Sequence, residues 1–222
     1  MDIVSGNRRA LSEATFTALS RYRHSVFVEQ LGWPIGTRDG LELDQFDAPD
    51  TEYVVARESD GRIGGCGRLL PTTRPYLLSE VFPYLMNGMP TPCDPGVWEL
   101  SRFAAFDLQA DAATDPRVKA LRSGQVLLAS VLSAAALGAQ RLITVSPLGI
   151  ERLLRRMGAH AHRAAPPCMV AGEPVYACWI EIDDITVSAL SCYAPVPSAA
   201  IAPAPAPIYP GLLAASQPWV AG

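Results

Sequence analysis

The chain has 222 residues, of which 49% are hydrophobic and 18% charged, and its formal net charge is −4. This composition is typical of a globular protein and excludes an intrinsically disordered chain. The basic residues form no tract, so we expect no nucleic-acid partner. The five cysteines are widely spaced and include no C-x-x-C pair, which favours a reduced, cytoplasmic setting.

The first half of the chain is predicted to hold a helix, a long loop and a hairpin. Apolar residues at mostly three- and four-residue spacing predict a helix over residues 11–30, and Gly32 and Pro34 end it. A loop follows to about Pro49. Two short apolar runs, EYVVARES and RIGGCGRLLPT, then predict a β-hairpin that turns at SDG.

The second half is predicted to alternate helices and strands. Residues 77–87 are predicted to form a short helix, GVWELSRFAA a strand and residues 117–138 a long apolar helix. RLITVS indicates a buried strand, GIERLLRRMG a short helix closed by Gly158, and PVYACWIEI a late strand. Strands separated by helices, with an early hairpin, predict an α/β or α+β fold with helices covering the sheet.

Two segments raise questions beyond the fold. Residues 123–140 are uncharged and only just long enough to span a bilayer, but they are rich in Ala and Ser. We interpret them as a buried helix and expect no stable membrane insertion; the N-terminus also lacks the pattern of a signal peptide. We divide the chain into a domain over residues 1–193 and a Pro/Ala-rich, uncharged and flexible tail over residues 194–222.

The stretch DGLELDQFDAPD, residues 39–50, places five carboxylates within twelve residues. Their order is not that of a calcium loop, and a solvated acidic loop is one interpretation. Against it, Leu41, Leu43 and Phe46 lie between the carboxylates and favour a loop with one packed side. Packed carboxylates need partners. The candidates are a cationic ligand, protein arginines, or both; the arginines are Arg23, Arg68 and Arg102.

The strand GVWELSRFAA contains one carboxylate among apolar residues. Strand alternation predicts Glu99 and Ser101 on one face, and Trp98, Leu100 and Arg102 on the other. A single buried Glu is more often an ion-pair partner than a catalyst. Burial nevertheless raises the pKa of a carboxyl group, which suits a proton acceptor that works near neutral pH.

Two weaker patterns are discounted. RIGGCG, residues 62–67, matches the R-x-x-G-x-G pyrophosphate loop of coenzyme A-dependent acetyltransferases, but its glycines lead into a predicted strand rather than opening a helix. His160 and His162 have no third ligand at a recognisable spacing, so we assign no metal.

Five blocks in order carry a family resemblance: YRHSVFVEQLGW, ELDQFD, CGRLLPTTRPYLL, VFPYL and VWELSRFA. Together they resemble the acyl-homoserine-lactone synthases, the LuxI-type autoinducer synthases of quorum sensing, over roughly residues 20–185. The resemblance implies a fold like that of the N-acetyltransferases, a twisted mixed sheet with a cleft, flanked by helices. The positions that match the family's key residues are Arg23, Phe27, Trp33, Glu42, Asp44, Asp47, Arg68, Phe82, Glu99 and Arg102.

The resemblance also implies the substrates, S-adenosylmethionine and an acyl chain on acyl carrier protein, and no separate cofactor. Glu99, as base, with Glu42 and Arg102 is expected to form the catalytic group. The sulfonium and ammonium of S-adenosylmethionine suit nearby carboxylates, and its adenine suits aromatic stacking. The residues expected to bind or order that substrate are Arg23, Phe27, Trp33, Asp44, Asp47 and Arg68.

The acyl chain needs an apolar slot, which the resemblance places between the sheet and the long helix. Its expected walls are Phe82, Leu100, Ser101, Phe103, Thr144, Ser146 and Leu148, although plain core packing explains any apolar one of them equally well. Thr144 and Ser146 offer hydroxyls to a 3-oxo group, or to backbone. The acidic carrier protein is expected to dock on the basic residues Arg152, Arg155 and Arg156, for which an ordinary solvated face is the alternative.

Two other functions stay open at this point. One is a related N-acyltransferase that uses acyl-coenzyme A and releases no methylthioadenosine. The other is a catalytically silent relative that binds S-adenosylmethionine or a partner protein, against which the intact set of charged residues argues. Acyl length is not determined by the sequence.

Overall fold

A computed structural model describes residues 1–109 and 114–194 of the chain. The strands are β1 (Asp2–Asn7), β2 (Thr37–Arg38), β3 (Leu41–Glu42), β4 (Glu52–Arg57), β5 (Ile63–Pro71), β6 (Val97–Ala104), β7 (Arg141–Pro147), β8 (Ala161–Arg163), β9 (Cys168–Val170) and β10 (Glu173–Glu181). One mixed sheet has the order β1-β4-β5-β6-β7-β10-β8, with β9 also paired to β10. β2 and β3 form a separate ribbon.

Helices cover both faces of this sheet. They are α1 (Glu13–Arg23), continued by a π-helical segment (His24–Gln30), α2 (Leu77–Glu80), a 3-10 turn (Pro83–Met86), α3 (Pro116–Ala136), α4 (Leu148–Arg156) and α5 (Asp184–Ser191). Ser12 caps the first turn of α1 and Asp115 that of α3, each by accepting a backbone N–H on its side chain. Within the described part of the chain, no helix is long and apolar enough to cross a membrane.

The sheet opens between β6 and β7, its parallel neighbours. Their pairing covers only Val97–Glu99 against Arg141–Ile143. β6 continues to Ala104 and β7 to Pro147, so the remaining halves of both strands run without pairing to each other. The resulting cleft lies in the middle of the sheet, where backbone groups of two strands are free to face a ligand.

The core has a layer on each side of the sheet. Leu127 of α3, Leu154 of α4 and Leu190 of α5 pack against one face in the largest cluster of buried residues. On the other face, Leu19 of α1 packs near β4 and β5, and a third cluster joins the acidic loop through Phe46 to α2. The acidic loop is therefore anchored in the core through Phe46, whereas Leu41 is only half-buried and Leu43 is 42% exposed.

Most predicted elements are confirmed. The helix over residues 11–30, the hairpin, the central strand, the long helix and the late strand all form near the expected bounds, and the mixed sheet splayed into a cleft and flanked by helices confirms the fold class. Six elements of the described chain were not predicted: β1, β2, β3, β8, β9 and α5. Of these, β2 and β3 lie within the predicted loop. Nearly all of the predicted tail, residues 195–222, lies outside the described residues, so its flexibility stays a prediction.

The glycines of RIGGCG serve packing, since they lie inside β5 rather than before a helix. A Cβ on Gly65 would lie 2.7 Å from Val126 Cγ2 and 3.1 Å from the Ala104 carbonyl oxygen. We expect Gly65→Ala to lower the free energy of unfolding by about 1–3 kcal/mol, because the added methyl group would push α3 away from β5. Chemical denaturation measures this.

Gly36→Ala is the matched control, because nothing lies within 4 Å of an added Cβ there. It should leave stability unchanged or raise it slightly by restricting the unfolded chain. Equal stabilities for the two variants would contradict close packing at Gly65.

Candidate active site

Three arginines and three carboxylates form one buried network beside the cleft. The carboxylates come from β3 and the acidic loop, and the arginines come from α1, β5 and β6; they are Glu42, Asp44, Asp47, Arg23, Arg68 and Arg102. All six side chains are at most 16% exposed. Their formal charges cancel, so the protein's own arginines neutralise the acidic loop. Arginines were one of the two kinds of partner that the sequence left open; the other was a cationic ligand.

Arg23 joins α1 to the loop. Its Nε donates to Glu42 Oε2 at 2.5 Å, and its two terminal nitrogens donate to the two oxygens of Asp47 at 2.7 and 3.0 Å. The Tyr53 hydroxyl donates to Asp47 Oδ1 at 2.9 Å. Burial alone would raise the pKa of Asp47, but the Arg23 guanidinium and then Arg68 hold it well below its usual range. Asp47 is therefore ionised and fixed.

Arg68 binds the loop from the sheet. Its guanidinium donates to both oxygens of Asp44, at 2.6 and 3.1 Å, and to Asp47 Oδ1 at 3.1 Å. Its Nε donates to Ser101 Oγ at 3.0 Å. Forked contacts of this kind fix direction as well as charge. The Asp44 carboxylate, at 16% exposed, is the most accessible of the three acids.

Arg102 shows where strand alternation fails. Alternation predicts it on the face opposite Ser101, yet its guanidinium donates to Glu42 Oε1 and to Asp44 Oδ2 on the Ser101 side. The cause is a β-bulge: the register of β5 and β6 shifts between Cys66 and Arg68, and Arg102 has a φ of +49°. The Cys66 thiol donates to the Arg102 carbonyl at 3.1 Å and satisfies it.

An aromatic pair lies against this network. Phe27, on the π-helical segment, stacks with Trp33 at a centroid distance of 4.8 Å. The Arg102 guanidinium carbon is 5.7 Å from the Phe27 centroid and 5.9 Å from that of Trp33. Trp33 is 37% exposed while Phe27 is buried, so Trp33 offers a ring to an incoming ligand.

Glu99 is fully buried at the last residue of β6 that pairs with β7. Its two carboxylate oxygens accept the backbone N–H groups of Leu77 and Leu78, at 2.9 and 2.8 Å, at the start of α2. Burial raises the pKa of Glu99 to about 7, although these two N–H groups oppose the shift. The structure thus gives Glu99 a capping role, and its role as a base stays a prediction.

The predicted acyl-chain wall is not brought together on one face. Leu100, Phe103 and Leu148 pack with the cluster around α3 and α4. Thr144 and Ser146 are buried on alternate residues of β7 that share the face of Leu142, with their hydroxyls 3.1 Å apart. Ser101 and Phe82 belong to the opposite face, where Ser101 binds Arg68 and Phe82 packs near α2. The place of those two residues in the acyl slot stays a prediction.

A cavity of about 290 Å³ lies between the end of β6, α3 and α4. Phe103 and the backbone up to Asp107 form one wall, Ile150 and Leu153 of α4 another, and α3 closes it with Lys119 and Arg122. Gln30, at the end of the π-helical segment, completes the lining. Phe103 directly follows Arg102 in β6, but none of the six charged residues of the network lines the cavity.

The α4 arginines differ in their surroundings. Arg155 lies 3.8 Å from Glu151, which also accepts two hydrogen bonds from Arg163. Arg152 and Arg156 are exposed and form no ion pair among the described residues. They are one helical turn apart, next to the α4 residues that line the cavity.

Sequence reasoning missed three residues that support the site: Tyr53, Cys66 and Tyr22. Tyr53 lies opposite Arg68 in the β4–β5 register and faces the same side. The alternation of EYVVAR predicts its face, but nothing in the sequence predicts its hydrogen bond to Asp47. The Tyr22 hydroxyl contacts the backbone of Phe106, 84 positions away, which no local pattern reveals.

Known proteins resemble this chain over most of its length. A family model described as autoinducer synthase matches residues 7–190. The acyl-homoserine-lactone synthase of Ralstonia nicotianae is 52% identical over 199 residues, 88% of this chain and 94% of that protein.

Solved structures match as well. The crystal structure of TofI in a ternary complex with an inhibitor and MTA has a TM-score of 0.76 at 45% identity, covering 86% of this chain and 97% of TofI. BjaI, a CoA-dependent acyl-homoserine lactone synthase solved with SAM and isopentyl-CoA, has a TM-score of 0.73 at 29% identity, covering 86% of each chain. The chain therefore belongs to the autoinducer synthase family, the acyl-homoserine-lactone synthases, and is an acyltransferase.

Proposed function

We propose that this protein makes an acyl-homoserine lactone from S-adenosylmethionine and acyl-[acyl carrier protein], and releases methylthioadenosine. The observation that carries the proposal is the neutral network of three arginines and three carboxylates beside a splayed sheet and its cavity. Such a network orders Trp33 and the Asp44 carboxylate without a net charge of its own. A substrate that carries both a cation and a carboxylate finds partners of each sign there.

The first step forms an amide. The amine of S-adenosylmethionine, once it has lost a proton, attacks the thioester carbonyl carbon; the C–S bond breaks and the carrier's thiol leaves with a proton. Glu99 is our candidate for the proton acceptor, directly or through water. Backbone N–H groups on the unpaired half of β6 are suited to the developing oxyanion.

The second step closes the ring. A carboxylate oxygen of the same substrate attacks its γ-carbon, and the bond from that carbon to the sulfonium breaks. Methylthioadenosine leaves as a neutral thioether, so the step needs orientation more than acid–base help. In this proposal Trp33 and Phe27 hold the adenine and sulfonium by stacking and cation–π contact, while the ion-paired network keeps that aromatic pair in place.

The acyl donor is proposed to be carrier-bound because of the charge beside the cavity. The protein as a whole is acidic, at −4, yet α4 exposes two arginines that form no ion pair with any described residue, and they neighbour Ile150 and Leu153 of the cavity lining along the chain. A basic surface on an element that lines the cavity fits an acidic carrier whose acyl arm enters the cavity. The 3-oxo preference stays open, because Thr144 and Ser146 already hydrogen-bond each other.

The docking proposal predicts the effect of reversing charge on α4. We expect Arg152→Glu with Arg156→Glu to raise KM for acyl-[acyl carrier protein] about tenfold or more, with KM for S-adenosylmethionine unchanged. Arg38→Glu with Arg57→Glu is the control, because both arginines belong to other elements and the charge change is the same. Equal kinetics in the two double variants would remove α4 from the docking surface.

The reaction itself is tested by mass spectrometry on the purified protein with S-adenosylmethionine and a panel of acyl-carrier thioesters, with acyl-coenzyme A in parallel. Methylthioadenosine together with one dominant acyl-homoserine lactone is the expected result, and it also gives the chain length. If lactone forms only from acyl-coenzyme A, the donor is acyl-coenzyme A and not the acyl carrier protein. Acylated product without methylthioadenosine would overturn the reaction.

A further inference from the structure

One wall of the cavity continues beyond the end of strand β6, in a segment that belongs to no strand. β6 stops at Ala104, and its pairing with β7 has already ended at Glu99. Ala105, Phe106 and Asp107 still line the cavity but belong to no strand. Phe106 exposes 46% of its surface, so burial of its own side chain does not fix this segment. Something else must hold its backbone.

The Tyr22 hydroxyl contacts both backbone groups of one residue in that segment. It donates to the Phe106 carbonyl oxygen at 3.0 Å and accepts the Phe106 N–H at 2.9 Å. A strand partner would supply the same two hydrogen bonds. The Tyr22 side chain thus takes the place of a neighbouring strand at a residue beyond the end of β6.

Tyr22 is itself rigidly held. It is 4% exposed in the cluster formed by α1 and the sheet, together with Leu19 and Val26. Burial raises the pKa of Tyr22 well above its usual value, so the hydroxyl keeps the proton that it donates. Its neighbour on α1 is Arg23, which faces the charged network. One turn of helix therefore supports the charged network and the cavity wall with two different residues.

We propose that Tyr22 is a positioning residue for the acyl donor, whose hydroxyl fixes the Phe106 backbone so that the cavity keeps the shape that receives the acyl-bearing arm. The inference rests on the proposed function, since it assigns the cavity to the acyl donor. It separates two adjacent α1 residues: Arg23 serves the charged network, and Tyr22 serves the cavity.

The test is a pair of hydroxyl deletions. Tyr22→Phe keeps the ring and removes two hydrogen bonds, so we expect KM for the acyl-carrier thioester to rise about tenfold while kcat and KM for S-adenosylmethionine stay within about twofold. Tyr53→Phe loses its hydrogen bond to Asp47 instead, and should raise KM for S-adenosylmethionine and not that of the donor. Tyr84→Phe, on a half-exposed ring, is the control for losing a hydroxyl.

A merely structural role gives a different result. If Tyr22→Phe raises both KM values in parallel, or changes neither, the inference is overturned. Replacing Tyr22 with 4-aminophenylalanine, which can still donate to the Phe106 carbonyl but accepts the Phe106 N–H only weakly, should restore part of the low KM. A folded variant whose KM equals that of Tyr22→Phe would also overturn the inference. If the wild-type protein releases no methylthioadenosine, the proposed function fails and the inference fails with it. If the wild-type protein makes the lactone and Tyr22→Phe has the same KM values as wild type, the inference fails while the proposed function stands.

Discussion

Arg23→Met is expected to lower the free energy of unfolding by about 3–5 kcal/mol. The substitution keeps a side chain of similar length but leaves the buried network with two arginines against three carboxylates. Asp47 loses two hydrogen bonds and Glu42 loses one, in surroundings from which water is excluded. Since a typical domain is stable by only about 5–15 kcal/mol, a loss of this size is easily measured by denaturant unfolding monitored by circular dichroism.

Two further variants identify the cause as unbalanced charge. Arg38→Met removes an arginine whose side chain is 94% exposed, and should leave the denaturation midpoint unchanged. The double variant Arg23→Met with Glu42→Met leaves two arginines and two carboxylates, so it should recover much of the loss. If Arg23→Met unfolds at the same denaturant concentration as Arg38→Met, the network does not contribute to stability in the way described.

The same network sets a pH limit on stability. The pKa of Asp47 is lower in the folded protein than in the unfolded chain, so its contribution is complete above the unfolded value of about 4 and is lost as the pH falls below it. In Arg23→Met that contribution is mostly absent. The difference in stability between wild type and variant should therefore narrow in acid.

The sequence identifies the members of this network better than their pairing. Apolar residues between the carboxylates predict a packed loop, and packing demands cations, which limits the choice to a few arginines in apolar surroundings. Which arginine meets which carboxylate depends on where α1 crosses the sheet, and no local pattern contains that information. Tyr53 and Ser101 complete the arrangement for the same reason: each lies beside Arg68 across a strand register.

Arg102 illustrates a different limit. Period-two alternation is a property of an unbroken strand, and it places every other residue on one face. A bulge shifts that count by one, and its position follows from how β5 and β6 fit together rather than from either sequence alone. Alternation therefore predicted the face of Glu99 and Ser101 correctly but placed Arg102 on the wrong face. The short strands β8 and β9 were missed because three residues carry too little periodicity.

The second large effect concerns Glu99. If Glu99 accepts the proton of the attacking amine, Glu99→Gln should lower kcat by about 10²–10⁴-fold, the usual contribution of a positioned base. The pKa of Glu99, raised to about 7 by burial, predicts that wild-type kcat rises with pH through the same region, because only the ionised carboxylate accepts a proton. Product formation measured from pH 5.5 to 8.5 gives both quantities, with the exposed Glu80→Gln as control.

The alternative is that Glu99 only caps helix α2, and this alternative makes its own testable prediction. Both oxygens of Glu99 accept backbone N–H groups of α2, and a glutamine can accept only one of them, so Glu99→Gln should also destabilise α2. Because the folded pKa lies above the unfolded one, the folded protein holds more protons between about pH 4.5 and 7, and this part of its stability falls as the pH rises through that range. A folded Glu99→Gln that loses this pH dependence of stability, yet keeps kcat and its inflection near neutral pH, would show that Glu99 is a helix cap and that another group takes the proton. Loss of turnover together with the inflection would assign the base to Glu99, with the cap as the means that holds it in place.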